Sequence, residues 1–167
     1  MYDDILIPTD GSAAVDRALT HALNLAEVHD ASVHGLFVIN STNFASLPME
    51  TSWEGISDIL REDAREALDA ISRRAESRRV PVDTAILEGS PSNEIVRYAR
   101  DSGIDLIVMG TQGRSGIDRW LIGSVTERVV RTAPIPVLTV QLGADQGIDQ
   151  ADSESTQSQS TTSSADR

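Results

Sequence analysis

The densest chemistry in this chain lies between residues 110 and 126. It reads Gly110-Thr111-Gln112-Gly113-Arg114-Ser115-Gly116, six further residues, then Gly123-Ser124-Val125-Thr126. Glycines let backbone N–H groups approach an anion with no Cβ in the way. Successive amides can form an anion-binding concavity. A helix starting at Ser124 would add unpaired N–H groups and the positive end of its dipole, about 0.3–1 kcal/mol per anionic partner at an exposed site. Ser124 can cap that helix or donate its hydroxyl to a phosphate, and Arg114 can add a guanidinium. A loop that is merely glycine-rich and flexible has the same composition, so position and chemistry leave both readings open.

Other chemistries are easier to exclude. A Walker A loop requires lysine, and all 14 basic residues are arginine. The dinucleotide fingerprint is G-x-G-x-x-G after a first strand, whereas here the spacing is G-x-x-G-x-x-G after a fourth. Gly113-Arg114-Ser115-Gly116 is one residue short of a nucleophile elbow. The absence of cysteine removes disulfides, Cys-ligated zinc and thiol nucleophiles. His21, His29 and His34 lack the i, i+4 spacing of a helical metal pair and read as ordinary helix or strand-edge histidines. Asp10 is either a ligand residue or the N-cap of the first helix. Trp120 either walls a phosphate site or anchors the loop.

The elements that must position these residues follow from hydrophobic periodicity. Ile5-Leu6-Ile7 is a buried strand closed by Pro8, and the turn Asp10-Gly11-Ser12 follows it. Val15, Leu19, Ala22, Leu25 and Ala26 recur at helical spacing. A second strand spans residues 32–40 and a polar loop covers 41–52. Trp53, Ile56, Leu60, Ala64, Ala67, Ile71 and Ala75 share one face of a long helix. Residues 82–87 form a third strand. Ser90 and Pro91 read as N-cap and first position of a helix that Gly103 stops. Strand 104–109 is the most apolar stretch, and helix 124–131 and strand 135–140 complete the fold. Alternation of this kind predicts an α/β, doubly wound, five-stranded parallel sheet with helices on both faces, a single Rossmann-like domain. Ligands in such sheets bind beyond the C-terminal strand ends, at the switch in strand order.

From residue 143 the chain turns to Ser, Thr, Gln and Asp, and residues 143–167 read as an acidic disordered tail after a domain over 1–142. The formal net charge is −12, and the tail's acids account for only part of it. Strong acidity argues against nucleic-acid and anionic-membrane partners. It fits either ordinary solubility or a halophilic setting, a salt-rich cytosol that screens carboxylate repulsion. The start of the chain reads as neither a secretory signal nor a membrane span, so the cytoplasm is the expected location.

The spacing Gly110-x2-Gly113-x9-Gly123-Ser124 resembles that of ATP-binding members of the universal stress protein family. The flanks are similar too: Ile5-Leu6-Ile7-Pro8-Thr9-Asp10-Gly11-Ser12 at the opening, Gly89-Ser90-Pro91 with Glu94-Ile95 at the third helix, Asp105-Leu106-Ile107-Val108-Met109-Gly110 at the fourth strand, and Pro136-Val137-Leu138-Thr139-Val140 at the last. The likeness runs in order over residues 2–141. The expected strand order is 3-2-1-4-5. The resemblance implies an ATP site, with Mg2+ or Mn2+. Pro8, Thr9, Asp10 and the backbone of Val38 would hold the adenine and ribose end, and Gly110 would face the ribose beside Met109. Gly113, Gly123, Ser124 and Val125 would hold phosphates through backbone amides and the Ser124 hydroxyl. Gln112 and Arg114 fall where the family varies. The resemblance further implies a homodimer through residues 135–140, acting as a stress-response regulator. Two alternatives are a hydrolase of adenine nucleotides on a related fold and an interaction protein without nucleotide. No complete catalytic set is visible.

Overall fold

The computed structural model describes residues 1–12, 15–41, 53–111 and 122–141, with side chains of the long second helix from residue 58 onward. Gln112, Gly113, Arg114 and Trp120, the polar loop from 42 and the acidic tail lie outside the described residues. The elements run β1 (Asp4–Thr9), α1 (Val15–His29), β2 (Ser32–Asn40), α2 (Trp53–Ser77), β3 (Val82–Gly89), α3 (Pro91–Asp101), β4 (Leu106–Gly110), α4 (Ser124–Thr132) and β5 (Val137–Val140). They form a five-stranded parallel sheet in the order β3-β2-β1-β4-β5.

Side-chain alternation along the strands divides the core into two layers. On one face Ile5, Ile7, Val33, Phe37, Leu106 and Val108 pack with Leu19, Leu23, Ala64 and Ile71 of α1 and α2. On the other, Leu6, Leu36, Ile107 and Met109 pack with Ile95, Ala99 and Val129 of α3 and α4. The central strands carry apolar residues on both faces because both faces are covered.

Several expected details move: β3 continues to Gly89 instead of ending at 87, and β4 spans Leu106–Gly110 instead of 104–109. β1 runs through Pro8 to Thr9 instead of closing before it. The Asp3 carbonyl accepts from Ser32 on the β2 side, and the Asp4 carbonyl accepts from Asp105 on the β4 side. Main-chain groups of alternate residues face the same neighbour, so the Pro8 nitrogen faces β4. The β1–β4 ladder covers only Ile5↔Leu106 and Leu6↔Ile107, whereas β1–β2 continues to Thr9↔Phe37. The missing N–H therefore falls where no ladder needs it. β5 begins at Val137, two residues later than its apolar pattern predicts. Pro134 and Pro136 lack donors for the ladder, although the Pro136 carbonyl still accepts from Ile107 at 3.0 Å. Ser90 stands at the N-cap of α3 with Pro91 behind it, but its side chain makes no cap bond. Its carbonyl instead accepts from the amides of Asn93 and Glu94, both at 3.0 Å.

At the other end of the sheet His34 ties three elements together. Its Nδ1 lies 3.2 Å from the Tyr98 hydroxyl on α3, and its Nε2 lies 3.1 Å from Asp4 Oδ1 at the start of β1. Asp105 fixes that strand start by accepting from the amides of Asp3 and Asp4. This is the structural role expected of an ordinary histidine.

Candidate nucleotide site at the β1–β4 crevice

In a sheet of this order the direction of winding reverses between β1 and β4. The crevice at that reversal is opened by the early end of the β1–β4 ladder. Thr9 and Gly110 each lie three residues beyond the last paired positions, Leu6 and Ile107. Because all strands are parallel, Pro8, Thr9, Val38, Met109 and Gly110 emerge toward the same edge. Val38 sits one step past the Thr9↔Phe37 pair. Val38, Met109 and Val125 join one side-chain cluster on the face covered by α3 and α4.

The turn after β1 is built from its own side chains. The Gly11 amide donates to Thr9 Oγ1 at 3.0 Å, and the Ser12 amide donates to Asp10 Oδ1 at 2.9 Å. Both are local side-chain turns of the kind Thr and Asp form. Gly11 has φ 75°, a left-handed conformation that suits glycine. Thr9 is buried and Asp10 half-buried. The Asp10 carboxylate closes this turn ahead of α1, whose described helix starts at Val15. It is thus a turn residue at the crevice mouth.

The second rim is the start of α4. Gly123 is its N-cap, Ser124 its exposed first residue and Val125 a half-buried second. The first helical bond runs from the Glu127 amide to the Gly123 carbonyl at 2.9 Å. The amides of Ser124, Val125 and Thr126 therefore have no acceptor within the helix. The Gly123 amide is already used, donating to the Thr111 carbonyl at 2.6 Å. Thr126 is buried, and its hydroxyl donates to the Gly110 carbonyl at 2.9 Å. Thr111 and Thr126 are the site residues that the sequence did not disclose. The usable signal for Thr126 was its phase: it lies three residues before buried Val129, on the covered side of the helix.

Three amides at a helix start with no acceptor among the described residues, beside a crevice at a topological switch, make an anion-binding arrangement. Among the described residues no group of three or more His, Asp or Glu gathers to hold a metal. Among them, too, no helix is long and apolar enough to cross a membrane.

Comparison with known proteins finds relatives along the folded part of the chain. Residues 1–141 match the universal stress protein family. A universal stress protein of Methanocaldococcus jannaschii is 47% identical over 141 residues, spanning 84% of this chain and 83% of the relative. A second universal stress protein of that organism has a solved structure that superposes with a TM-score of 0.76 at 34% identity, covering 84% of this chain and 96% of the other. A universal stress protein solved in complex with cAMP superposes with a TM-score of 0.60 at 26% identity, over 84% of this chain and 97% of that one.

Proposed function

The chain belongs to the universal stress protein family, and on that premise we propose that it binds ATP at the β1–β4 crevice and acts as a homodimeric regulator of the stress response in the cytoplasm. The observation that carries the reading is the pairing of the crevice with the start of α4, whose first amides have no acceptor within the helix. A relative with a bound adenine nucleotide supports the ligand class. In this reading Pro8, Thr9, Asp10, the Val38 backbone and Met109 hold the base and ribose, and Gly110 faces the ribose. Gly113, Gly123, Ser124 and Val125 surround the phosphates, with Gln112 and Arg114 beside them. Mg2+ or Mn2+ would enter on the nucleotide, held mainly by phosphate oxygens.

The role assigned is binding, because the turn after β1 is a tight Asp10-Gly11-Ser12 closure held by Thr9 and Asp10 themselves. Hydrolases of adenine nucleotides on related folds place a longer Ser/Gly loop there. The nucleotide content of freshly purified protein, followed by calorimetric titration with ATP, tests the reading. Bound or measurably binding ATP with slow turnover is the expected result. Fast magnesium-dependent release of AMP or ADP would make the protein an enzyme, and no heat with no carried nucleotide would leave an interaction protein.

The dimer is assigned to the β5 edge. β5 is an outer strand of four residues, and Leu138 within it and Val130 on α4 are exposed apolar side chains. An unpaired edge with apolar neighbours favours strand addition by a second copy. Light scattering should give twice the chain mass, and Leu138→Glu should return it to the monomer. A monomeric wild type sinks this part of the reading.

A further inference from the structure

The start of α4 is held by two bonds to consecutive residues at the end of β4. The Thr126 hydroxyl donates to the Gly110 carbonyl at 2.9 Å, and the Gly123 amide donates to the Thr111 carbonyl at 2.6 Å. A threonine inside a helix ordinarily bonds back to the carbonyl of its own preceding turn, or faces water. Here a threonine with only 5% of its surface exposed reaches across to another element. Removing its hydroxyl would leave the Gly110 carbonyl without that donor. These two bonds set how far α4 stands from β4 and where its first amides point.

We infer that Thr126 is a positioning residue for the anion site: it never touches the nucleotide, but with the Gly123 amide it clasps α4 onto β4 so that the amides of Ser124 and Val125 face the phosphates. This deepens the nucleotide reading and rests on it. It also gives Gly123 a different task. Its N–H stays with Thr111 and serves the clasp, and its lack of a side chain keeps the approach to the next two amides open. The phosphate donors are then the amides of Ser124 and Val125 and the Ser124 hydroxyl.

The test uses the full chain with Thr126→Val and Thr126→Ser, each titrated with ATP and with inorganic tripolyphosphate, alongside thermal melts without ligand. Valine keeps the shape and loses the donor; serine keeps the donor. The valine variant should bind both ligands about tenfold more weakly, with serine restoring affinity to within about twofold. A valine variant that melts lower but binds as tightly as wild type would show a merely structural hydroxyl and overturn the inference. A second measurement does not depend on the variant's folding. Amide hydrogen exchange on wild type should show Gly123 protected before ATP is added and unchanged after it, while Ser124 and Val125 gain protection. Gain of protection at Gly123 instead would overturn the inference. Failure of wild type to bind either ligand is a separate result, because it removes the nucleotide reading itself.

Discussion

Gly123→Val is expected to weaken ATP binding by at least about 100-fold, or about 2.7 kcal/mol, while the fold survives. The backbone argument comes first. Gly123 has φ −58° and ψ 145°, a conformation open to any L-residue, so valine introduces no dihedral strain. The exchange at an N-cap costs about 1 kcal/mol at most, since valine is a poor cap and glycine a tolerable one. That is small against the roughly 5–15 kcal/mol of a typical domain. Binding is another matter. A branched side chain immediately ahead of Ser124 occupies the approach to the helix-start amides, and an anion held there must come within hydrogen-bond distance of them. Calorimetry of both proteins, with circular dichroism to confirm the fold, separates the two effects. Unchanged affinity in a folded variant would place the phosphates elsewhere. Gly123→Ser, a good cap with a small side chain, should fall between wild type and valine.

The largest expected effect on stability lies in the strand that delivers Gly110 to the site. Ile107 is fully buried, in register with Leu6 of β1 on one side and Val137 of β5 on the other. Ile107→Ala removes three buried carbons and leaves a cavity that its fixed neighbours cannot close, at a cost of about 2–5 kcal/mol. Exposed ion pairs such as Arg65–Glu62 on α2 contribute about 0–1 kcal/mol each. One core isoleucine therefore outweighs several surface bridges. Urea unfolding should show a lower midpoint with an unchanged slope. A midpoint within the error of wild type would mean that β4 has less packing around it than its burial indicates. Because β4 forms one wall of the crevice, the same variant should also weaken ATP binding once a fraction of the protein is unfolded.

How much of this was readable beforehand depends on whether the deciding force was local. β2 is found over the span its apolar run predicts, because every ladder partner and both covered faces favour it. The strand order and the two-sided core follow from alternation and connection length. Pro8 misled because the rule that proline ends a strand holds only where its nitrogen must donate, and whether the facing ladder extends that far is invisible in one sequence. Ser90 stands in the expected place without the expected bond, since composition reports what a side chain can do and the backbone did it instead. At the site, Val38, Met109 and Val125 converge on one cluster because strand and helix phase were legible. The bonds from Thr126 to Gly110 and from Gly123 to Thr111 were not, as hydrogen bonds to distant carbonyls leave no periodic trace. Gln112, Gly113 and Arg114, expected around the phosphates, lie outside the described residues, and the variants at Gly123 and Thr126 probe their neighbours.

The parting of β1 from β4 also bears on rates of opening. The walls of the crevice continue directly from Leu6 and Ile107, which have no exposed surface. Amides in such central strands usually exchange only through near-global unfolding, whereas those of edges and surface turns exchange through small local openings. The crevice is thus rooted in the part of the chain that should open most rarely. A nucleotide entering it would meet walls already in place and lose little affinity to ordering them. Temperature or denaturant should then erode occupancy gradually until the core itself melts, and abolish it there in one cooperative step.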